Sequence, residues 1–296
     1  YPRFWLGLSP IQPGPSLQVH SDYTRFPKLS YPVVSIGTFD GVHLGHQVIL
    51  QRLTDLATQM KGQSVVITFH PHPRQVLFPE SEHPIQLLSS IDERIRLFEQ
   101  SGIDHLLIIP FNQDFSEFSP ARFTQEVLVK HVGTRALIIG YDHHFGRNRE
   151  GSFESLKQDS TALGFVVEEI PAWEIDEVTI SSTRIRKSLI AGDIQSANNF
   201  LGRPYEICGT VVHGEKRGRS IGFPTLNIEP DEIYKLIPAN GVYAVRVVIP
   251  GKVEPIIGMM NIGLRPTVTE NGKQTIEVHL IRQNMELYGT QLRVLI

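Results

Sequence analysis

Two histidines lie three residues apart in a glycine-rich segment that could bind phosphate. The segment Gly37-Thr38-Phe39-Asp40-Gly41-Val42-His43-Leu44-Gly45-His46 follows an apolar run and precedes a stretch of helical spacing. Its three glycines allow a ligand to approach the backbone closely, and the free amides of a helix N-terminus attract phosphate. His43 and His46 would share one face of the helix start, where imidazole can donate to phosphate or carry positive charge. Two surface histidines on a capped helix are the alternative, but their joint position in such a turn favours a phosphate site.

A second cluster of polar groups could bind the same kind of anion. Ile180-Ser181-Ser182-Thr183-Arg184-Ile185-Arg186 places hydroxyls at a predicted helix start and arginines after them. Hydroxyl, amide and guanidinium groups together can surround a triphosphate. Taken alone, the cluster is typical of an ordinary helix cap.

A third segment, Gly209–Asn227, is rich in glycine and basic residues. Gly214, Gly218 and Gly222 would give a flexible loop whose backbone amides could surround a phosphate. A long glycine-rich hairpin with a solvated basic tip is an equally good interpretation of these residues.

The elements that must position the first two clusters alternate between strand and helix. Continuous apolarity predicts buried strands at Val33–Gly37, Ser64–Phe69, His105–Ile109, Ala136–Gly140 and Phe165–Ile170. Helical spacing predicts helices at Leu44–Met60, Ile91–Ser101, Pro120–His131, Ser152–Leu163, Ser181–Ala191 and Asp193–Leu201, the last with Asp193 as N-cap. This alternation predicts a doubly wound parallel α/β sheet that binds ligands at the carboxyl ends of its strands.

The pattern changes after Gly202-Arg203-Pro204. Alternating or β-branched runs predict strands at Tyr205–Val212, Gly241–Ile249, Pro255–Ile262, Gln274–Ile281 and Gln291–Ile296. Such runs, separated by glycine, proline and asparagine, favour a small antiparallel β-barrel. We therefore predict a tail at 1–16, either disordered or added to the natural chain, an α/β domain at 17–186, a helical linker at 187–204 and a barrel domain at 205–296.

Composition excludes several other classes of protein. The 296 residues suffice for two domains, and a net charge of −3 gives no sign of a nucleic-acid or membrane-surface binder. The single Cys208 excludes an internal disulfide and a cysteine zinc cluster, and it suits a reducing, cytoplasmic location. No apolar run approaches a membrane span, and residues 1–16 lack the features of a signal peptide. We expect small-molecule partners, and the sequence leaves a weak homo-oligomer open.

The first two clusters together resemble the HxGH and S-S-T-x-I-R motifs of the nucleotidylyltransferase superfamily. Thr68-Phe69-His70-Pro71-His72-Pro73 and Gly140–Gly146 are similar to the FMN adenylyltransferase module of bifunctional FAD synthetases. The resemblance implies Mg²⁺, ATP and FMN, and catalysis by His43, His46 and Arg186. It implies ATP-binding residues Gly37, Phe39, Asp40, Gly45, Asp142, Ser182 and Thr183, and a flavin wall of Phe69, Pro71 and Pro73.

The third segment resembles the riboflavin kinase module, whose hallmark G-F-P-T-A-N stands here as Gly222-Phe223-Pro224-Thr225-Leu226-Asn227. Pro238–Tyr243, Asn261–Thr267 and Glu277–His279 are further matches. The resemblance implies that Thr225 and Asn227 hold magnesium and that Glu277 is the base for the ribityl hydroxyl. The implied ATP-binding residues of this module are Gly214, Gly218, Arg219, Gly222 and Pro224.

The leading hypothesis is a bifunctional enzyme that phosphorylates riboflavin to FMN and adenylylates FMN to FAD. A monofunctional FMN adenylyltransferase whose barrel only binds flavin is the alternative, and a flavin-storage protein is a non-enzymatic one. Family members continue beyond the segment that matches Leu287-Tyr288-Gly289 with a final strand and helix. We therefore expect a barrel domain truncated at Ile296.

Overall fold

The computed structural model describes residues 16–82, 84–140, 146, 151, 156–157, 160, 162–171, 180–213, 224–264, 274–283 and 285–296. Most of the predicted tail and much of the predicted helix Ser152–Leu163 lie outside them. Among the predicted site residues, those outside the described part are Asp142, Gly214, Gly218, Arg219 and Gly222.

The chain forms two compact units. The first contains residues up to Phe39, Gly45–Ser81 and Arg94–Asp176, and the second contains Asp40–Leu44, Glu82–Glu93 and Glu177–Ile296. The predicted helical linker 187–204 belongs to the second unit by this division. The boundaries 17–186, 187–204 and 205–296 stay a prediction about domains.

The first unit is built on a parallel sheet. Its described strands are β1 Gln18–His20, β2 Pro32–Ile36, β3 Gln63–His70, β4 His105–Pro110, β5 Ala136–Gly140 and β6 Val166–Ile170. They lie in the order β1-β4-β3-β2-β5-β6, and every neighbouring pair is parallel. This confirms the five predicted strands and the α/β class. The order reverses between β2 and β5, and a reversal of this kind marks the ligand crevice of a doubly wound sheet.

The described α-helices of the first half are α1 Leu44–Gln59, α2 Pro73–Leu77, α3 Ile91–Gln100, α4 Gln113–Ser116 and α5 Pro120–Arg122. The predicted helix Pro120–His131 is present, but beyond its first turn it is a π-helix over Phe123–Val132. Its buried residues are Phe123, Thr124, Val127, Leu128 and Val132. Because these recur every four to five positions, the wider i→i+5 turn directs them all to the core.

The second unit contains a closed antiparallel barrel of β7 Glu206–Val212, β8 Leu226–Pro230, β9 Gly241–Val248, β10 Ile256–Leu264, β11 Gln274–Leu280 and β12 Gln291–Leu295. The strand order is β10-β11-β8-β7-β12-β9. The barrel prediction and its five strands are confirmed, whereas β8 was not predicted. Two helices, α6 Ser182–Ile190 and α7 Ile194–Leu201, share the core of this unit. Asp193 caps α7 as predicted, since its carboxylate accepts from the Ser196 amide at 3.0 Å.

Candidate active sites

His43 lies directly before α1 and is buried, with 3% of its surface exposed. Burial lowers the pKa of His43 to about 4, the Asp40 carboxylate opposes this shift, and the Arg203 and Arg186 guanidinium groups reinforce it. Desolvation disfavours the charged ring, so His43 is neutral at pH 7 in the free protein. A neutral imidazole can still donate one hydrogen bond to a phosphate oxygen.

The second histidine of the turn, His46, packs against Phe39. The two rings meet edge to face with centroids 5.1 Å apart, and Phe39 also contacts Phe98 at 5.5 Å. Phe39 is only 2% exposed, so any contact that it makes with ATP would come from its backbone. A Cβ added to Gly37 would lie 3.0 Å from the Phe39 ring, so a larger residue there would require this buried ring to shift. The phenyl ring therefore orients His46.

Asp40 is a buried carboxylate that organises the chain around it. It accepts hydrogen bonds from the Leu88 amide at 3.0 Å and the Ser89 amide at 3.0 Å. It also pairs with the guanidinium of Arg186, whose Nε donates to the Gln86 carbonyl at 2.7 Å. With these partners, Asp40 and Arg186 fix the segment 86–89 beside the turn.

The predicted hydroxyl cluster lies beside the same carboxylate. Ser182 Oγ donates to the Asp40 carbonyl oxygen at 3.0 Å, while Thr183 is exposed at the start of α6. The structure thus brings Ser182 and Arg186 to Asp40, while the roles of these residues towards ATP stay a prediction. Because Arg186 already pairs with Asp40, its guanidinium group would have to contact Asp40 and a triphosphate at the same time.

Arg94 in α3 was not predicted as a site residue. It is 2% exposed, and its Nη1 donates to the Thr38 carbonyl at 2.7 Å and to Thr68 Oγ1 at 2.9 Å. A longer contact of 3.4 Å reaches the Phe69 carbonyl. Arg94 thus joins the carboxyl ends of β2 and β3. A lone arginine in an amphipathic helix carries no sequence signal for such a role.

The predicted flavin wall contains more aromatic residues than the sequence indicated. Phe69 lies against Phe111 and Phe115, with ring centroids 5.8 Å and 6.1 Å away. The His70–Pro71 peptide bond is cis, and Pro73 begins α2. Phe111 and Phe115 are partly exposed, and they follow β4 at the same edge of the sheet. Phe111 and Phe115 lie on either side of Asn112, the N-cap of α4. Their positions in the sequence gave no reason to distinguish them from core residues.

Three of the predicted kinase residues, Thr225, Asn227 and Glu277, lie close together on β8, the residues just before it, and β11. Glu277 in β11 stands directly opposite Asn227 in β8, and directly paired residues share a face. Thr225 is two residues from Asn227, and its hydroxyl lies 3.5 Å from Glu277 Oε2. On the other side of β11, Asn261 is also paired with Glu277. The predicted residues Thr225, Asn227 and Glu277 are therefore brought together.

Two further residues belong to this face. His279 Nδ1 lies 2.9 Å from the carbonyl oxygen of Pro224, which holds the start of β8 to β11. Asn261 and His279 occur in motifs that resemble the kinase family, but sequence reasoning gave neither a role. Their pairing with a neighbouring strand was the missing information.

The donor set of this face suits a magnesium ion. A threonine hydroxyl and an asparagine amide oxygen are hard oxygen ligands of the kind that Mg²⁺ prefers. The Glu277 carboxylate lies 3.5 Å from the Thr225 hydroxyl and would therefore stand beside an ion held there.

A second group of potential ligands does not suit a metal. Among the described residues, ligand atoms of Glu93, Glu206 and Cys208 lie within 4.8 Å of one another. Lys235 Nζ donates to Glu93 at 2.5 Å, and Arg293 Nε lies 3.4 Å from Glu206. Because these cations already balance both carboxylates, the group is accounted for by two ion pairs, of which Lys235–Glu93 is buried.

Two family models match successive parts of the chain. The family model described as FAD synthetase matches residues 27–184, and the model described as riboflavin kinase matches residues 201–296. The chain is also similar to a solved structure described as a macrolide-efflux protein from Streptococcus pneumoniae, with 29% identity and a TM-score of 0.82. That match covers 94% of this chain and 89% of the other. None of the helices in the described part of the chain has the length and apolarity that crossing a membrane requires.

Curated relatives carry both activities in their names. The bifunctional riboflavin kinase/FMN adenylyltransferase of Pseudomonas fluorescens is 40% identical over 88% of this chain and 82% of the relative. The Escherichia coli K12 protein of the same name is 37% identical over 89% of this chain and 82% of the relative. The chain belongs to the bifunctional riboflavin kinase/FMN adenylyltransferase family.

Proposed function

We propose that this protein phosphorylates riboflavin to FMN and then adenylylates FMN to FAD, using one ATP in each reaction. The presence of both family models in one chain supports both activities. The observation that carries the kinase is the shared face of Thr225, Asn227 and Glu277. For adenylyl transfer, it is the histidine turn at the sheet's reversal point.

In adenylyl transfer, a phosphate oxygen of FMN attacks the α-phosphorus of ATP and the bond to pyrophosphate breaks. Because the nucleophile is already anionic, the reaction needs positioning and charge neutralisation rather than a strong base. We assign phosphate contacts to His43 and His46. Ser182 and Thr183 supply hydroxyls, and Arg186 supplies positive charge near the Asp40 carboxylate.

We assign the flavin ring of FMN to the apolar surface that begins at Phe69. Phe111 and Phe115 extend this surface, so a flat ring has aromatic partners beyond the two prolines of the motif. Arg94 holds this surface to the strand end that carries the glycine-rich turn, through the Thr38 and Phe69 carbonyls. The assignment places the ATP turn and the flavin wall at neighbouring strand ends.

In the kinase reaction, the ribityl hydroxyl oxygen attacks the γ-phosphorus of ATP and ADP leaves. This hydroxyl carries a proton that must be removed as the new bond forms, and we assign that proton to the Glu277 carboxylate. Thr225 and Asn227 would hold Mg²⁺, which supplies positive charge to the phosphates when bound. Glu277 in β11 is paired with Asn227 in β8. The base and the residues that would hold the metal are therefore on the same side of the strand pair and would contact the same bound substrates.

A time course with riboflavin, ATP and Mg²⁺ tests the proposed function. FMN should appear first and FAD afterwards, both separated by chromatography. If FAD forms only when FMN is supplied, the protein is a monofunctional adenylyltransferase. Flavin binding without consumption of ATP would identify a storage protein.

A further inference from the structure

The backbone directly before His43 has an unusual conformation. Gly41 and Val42 have positive φ angles of 85° and 39°. Glycine accepts such angles, but a β-branched residue such as valine does so only under strain. Val42 is also buried, with 1% of its surface exposed. Neighbouring groups must hold this conformation in place.

Arg203 contacts the carbonyl oxygens of both residues that have a positive φ. Its Nη2 donates to the Gly41 carbonyl at 2.7 Å, and its Nη1 donates to the Val42 carbonyl at 3.3 Å. The same Nη1 lies 3.3 Å from the Leu201 carbonyl at the end of α7. A planar guanidinium group presents these donors in a fixed geometry that a lysine ammonium does not reproduce.

The amide side of the turn is held as well. The Gly41 amide donates to Ser89 Oγ at 2.8 Å, and the Ser89 amide donates to the buried Asp40 carboxylate. Since amide and carbonyl groups on both sides of the turn are fixed, the direction in which His43 leaves the backbone is fixed too. Arg203 is the cationic part of this arrangement.

We propose that Arg203 is a positioning residue for adenylyl transfer, which acts through the Gly41 and Val42 carbonyls on the imidazole of His43. This inference rests on the proposed function. Arg203 lies in the part of the chain that matches the riboflavin kinase model, residues 201–296, and outside the part that matches the FAD synthetase model. A residue of the kinase segment would thus serve the other reaction.

Three variants separate this role from general damage. Arg203→Met removes both the donors and the charge, Arg203→Lys keeps the charge, and Arg246→Met is a matched control at an exposed arginine in β9. FAD formation is measured from FMN, ATP and Mg²⁺, and FMN formation from riboflavin is measured in parallel. A small displacement of a catalytic group costs roughly 10²-fold in rate. We expect about that loss in kcat for Arg203→Met, with FMN formation and the control variant close to wild type.

An NMR titration measures the pKa of His43, which a loss of stability alone would not change. The positive charge of Arg203 is one of the causes that lower the pKa of His43, after burial. Arg203→Met should therefore raise the pKa of His43. Arg203→Lys should keep that pKa low and still lose kcat, because the charge remains while the paired donors are lost.

The outcomes separate this proposal from the proposed function. Wild-type kcat and an unchanged His43 titration in Arg203→Met would overturn the role of Arg203 alone. If the wild-type protein forms no FAD from FMN, the proposed function is overturned and the role of Arg203 with it. If Arg203→Met does not fold, Arg203→Lys decides: reduced kcat for FAD supports the proposal, and a wild-type kcat overturns it.

Discussion

Replacing His43 with glutamine should make the protein's stability less sensitive to acid. His43 is 3% exposed, and burial lowers its pKa to about 4 from the ordinary 6.5. The folded protein therefore holds the neutral ring, while the unfolded chain titrates normally. Glutamine in His43→Gln is polar and does not titrate in this range.

The unfolded chain is the state that binds the proton as pH falls. Above pH 6.5, His43 is neutral in both states and its contribution to stability is fully present. Between pH 6.5 and about 4, only the unfolded chain becomes protonated, so the free energy of unfolding falls with pH. A difference of about 2.5 pKa units at about 1.4 kcal/mol each gives about 3.5 kcal/mol in total. About 2 kcal/mol of this is lost between pH 7 and pH 5.

Urea unfolding of the wild-type protein and His43→Gln at pH 7, 6 and 5 measures the effect. Between pH 7 and pH 5, the free energy of unfolding of the wild type should fall by about 2 kcal/mol more than that of His43→Gln. This holds whatever the difference in stability between the two proteins at pH 7. His20 and His105 also have pKa values lowered by burial, but both are present in the two proteins and cancel in the difference.

An NMR titration identifies the group responsible. The imidazole signal that is absent from His43→Gln should titrate near pH 4 in the wild type. A free-energy difference that stays constant with pH, or a His43 signal that titrates near 6.5, would refute the buried neutral histidine.

Three further substitutions test the two sites and the core. His46→Ala should reduce FAD formation from FMN by about 10²–10³-fold, because a phosphate contact is lost, while FMN formation from riboflavin continues; near-normal FAD formation would show that the turn is structural. Glu277→Gln should reduce FMN formation by about 10²–10⁴-fold and leave adenylylation of supplied FMN close to normal, since only the ribityl hydroxyl needs a base; an unaffected kinase would remove Glu277 from the mechanism. Lys235→Met should lower the free energy of unfolding by about 3–5 kcal/mol in urea titrations, because it leaves the buried Glu93 carboxylate without its cation; the double variant Lys235→Met/Glu93→Gln should lose less than the two single variants together, and additive losses would contradict a direct pair.

The sequence was most informative where the chemistry lies in one continuous segment. The histidine turn and the segment around Thr225 and Asn227 were identified from local residue types, and the apolar runs predicted strands such as β2 and β5, which are buried along their whole length. The resemblance to known motifs then supplied roles such as that of Glu277. Strand pairing, seen in the structure, is what places Glu277 opposite Asn227.

The residues that sequence reasoning missed act through contacts distant in the chain. Arg94 donates to the Thr38 carbonyl, 56 positions away, and Arg203 donates to the Gly41 carbonyl, 162 positions away. Because every residue has a backbone carbonyl, the residue type at the accepting position gives no sign of such a hydrogen bond. Short strands were missed for a related reason, because the three residues of β1 are too few to show a period.

Radioactive ATP labelled at either the α- or the γ-phosphorus tests the central claim most directly. With riboflavin and Mg²⁺, γ-labelled ATP should label FMN and then FAD, because the phosphate of FMN is kept when AMP is added. With α-labelled ATP, FAD alone should carry label. FAD without γ-label, or FMN labelled from the α-phosphorus, would contradict successive phosphoryl and adenylyl transfer by this one chain.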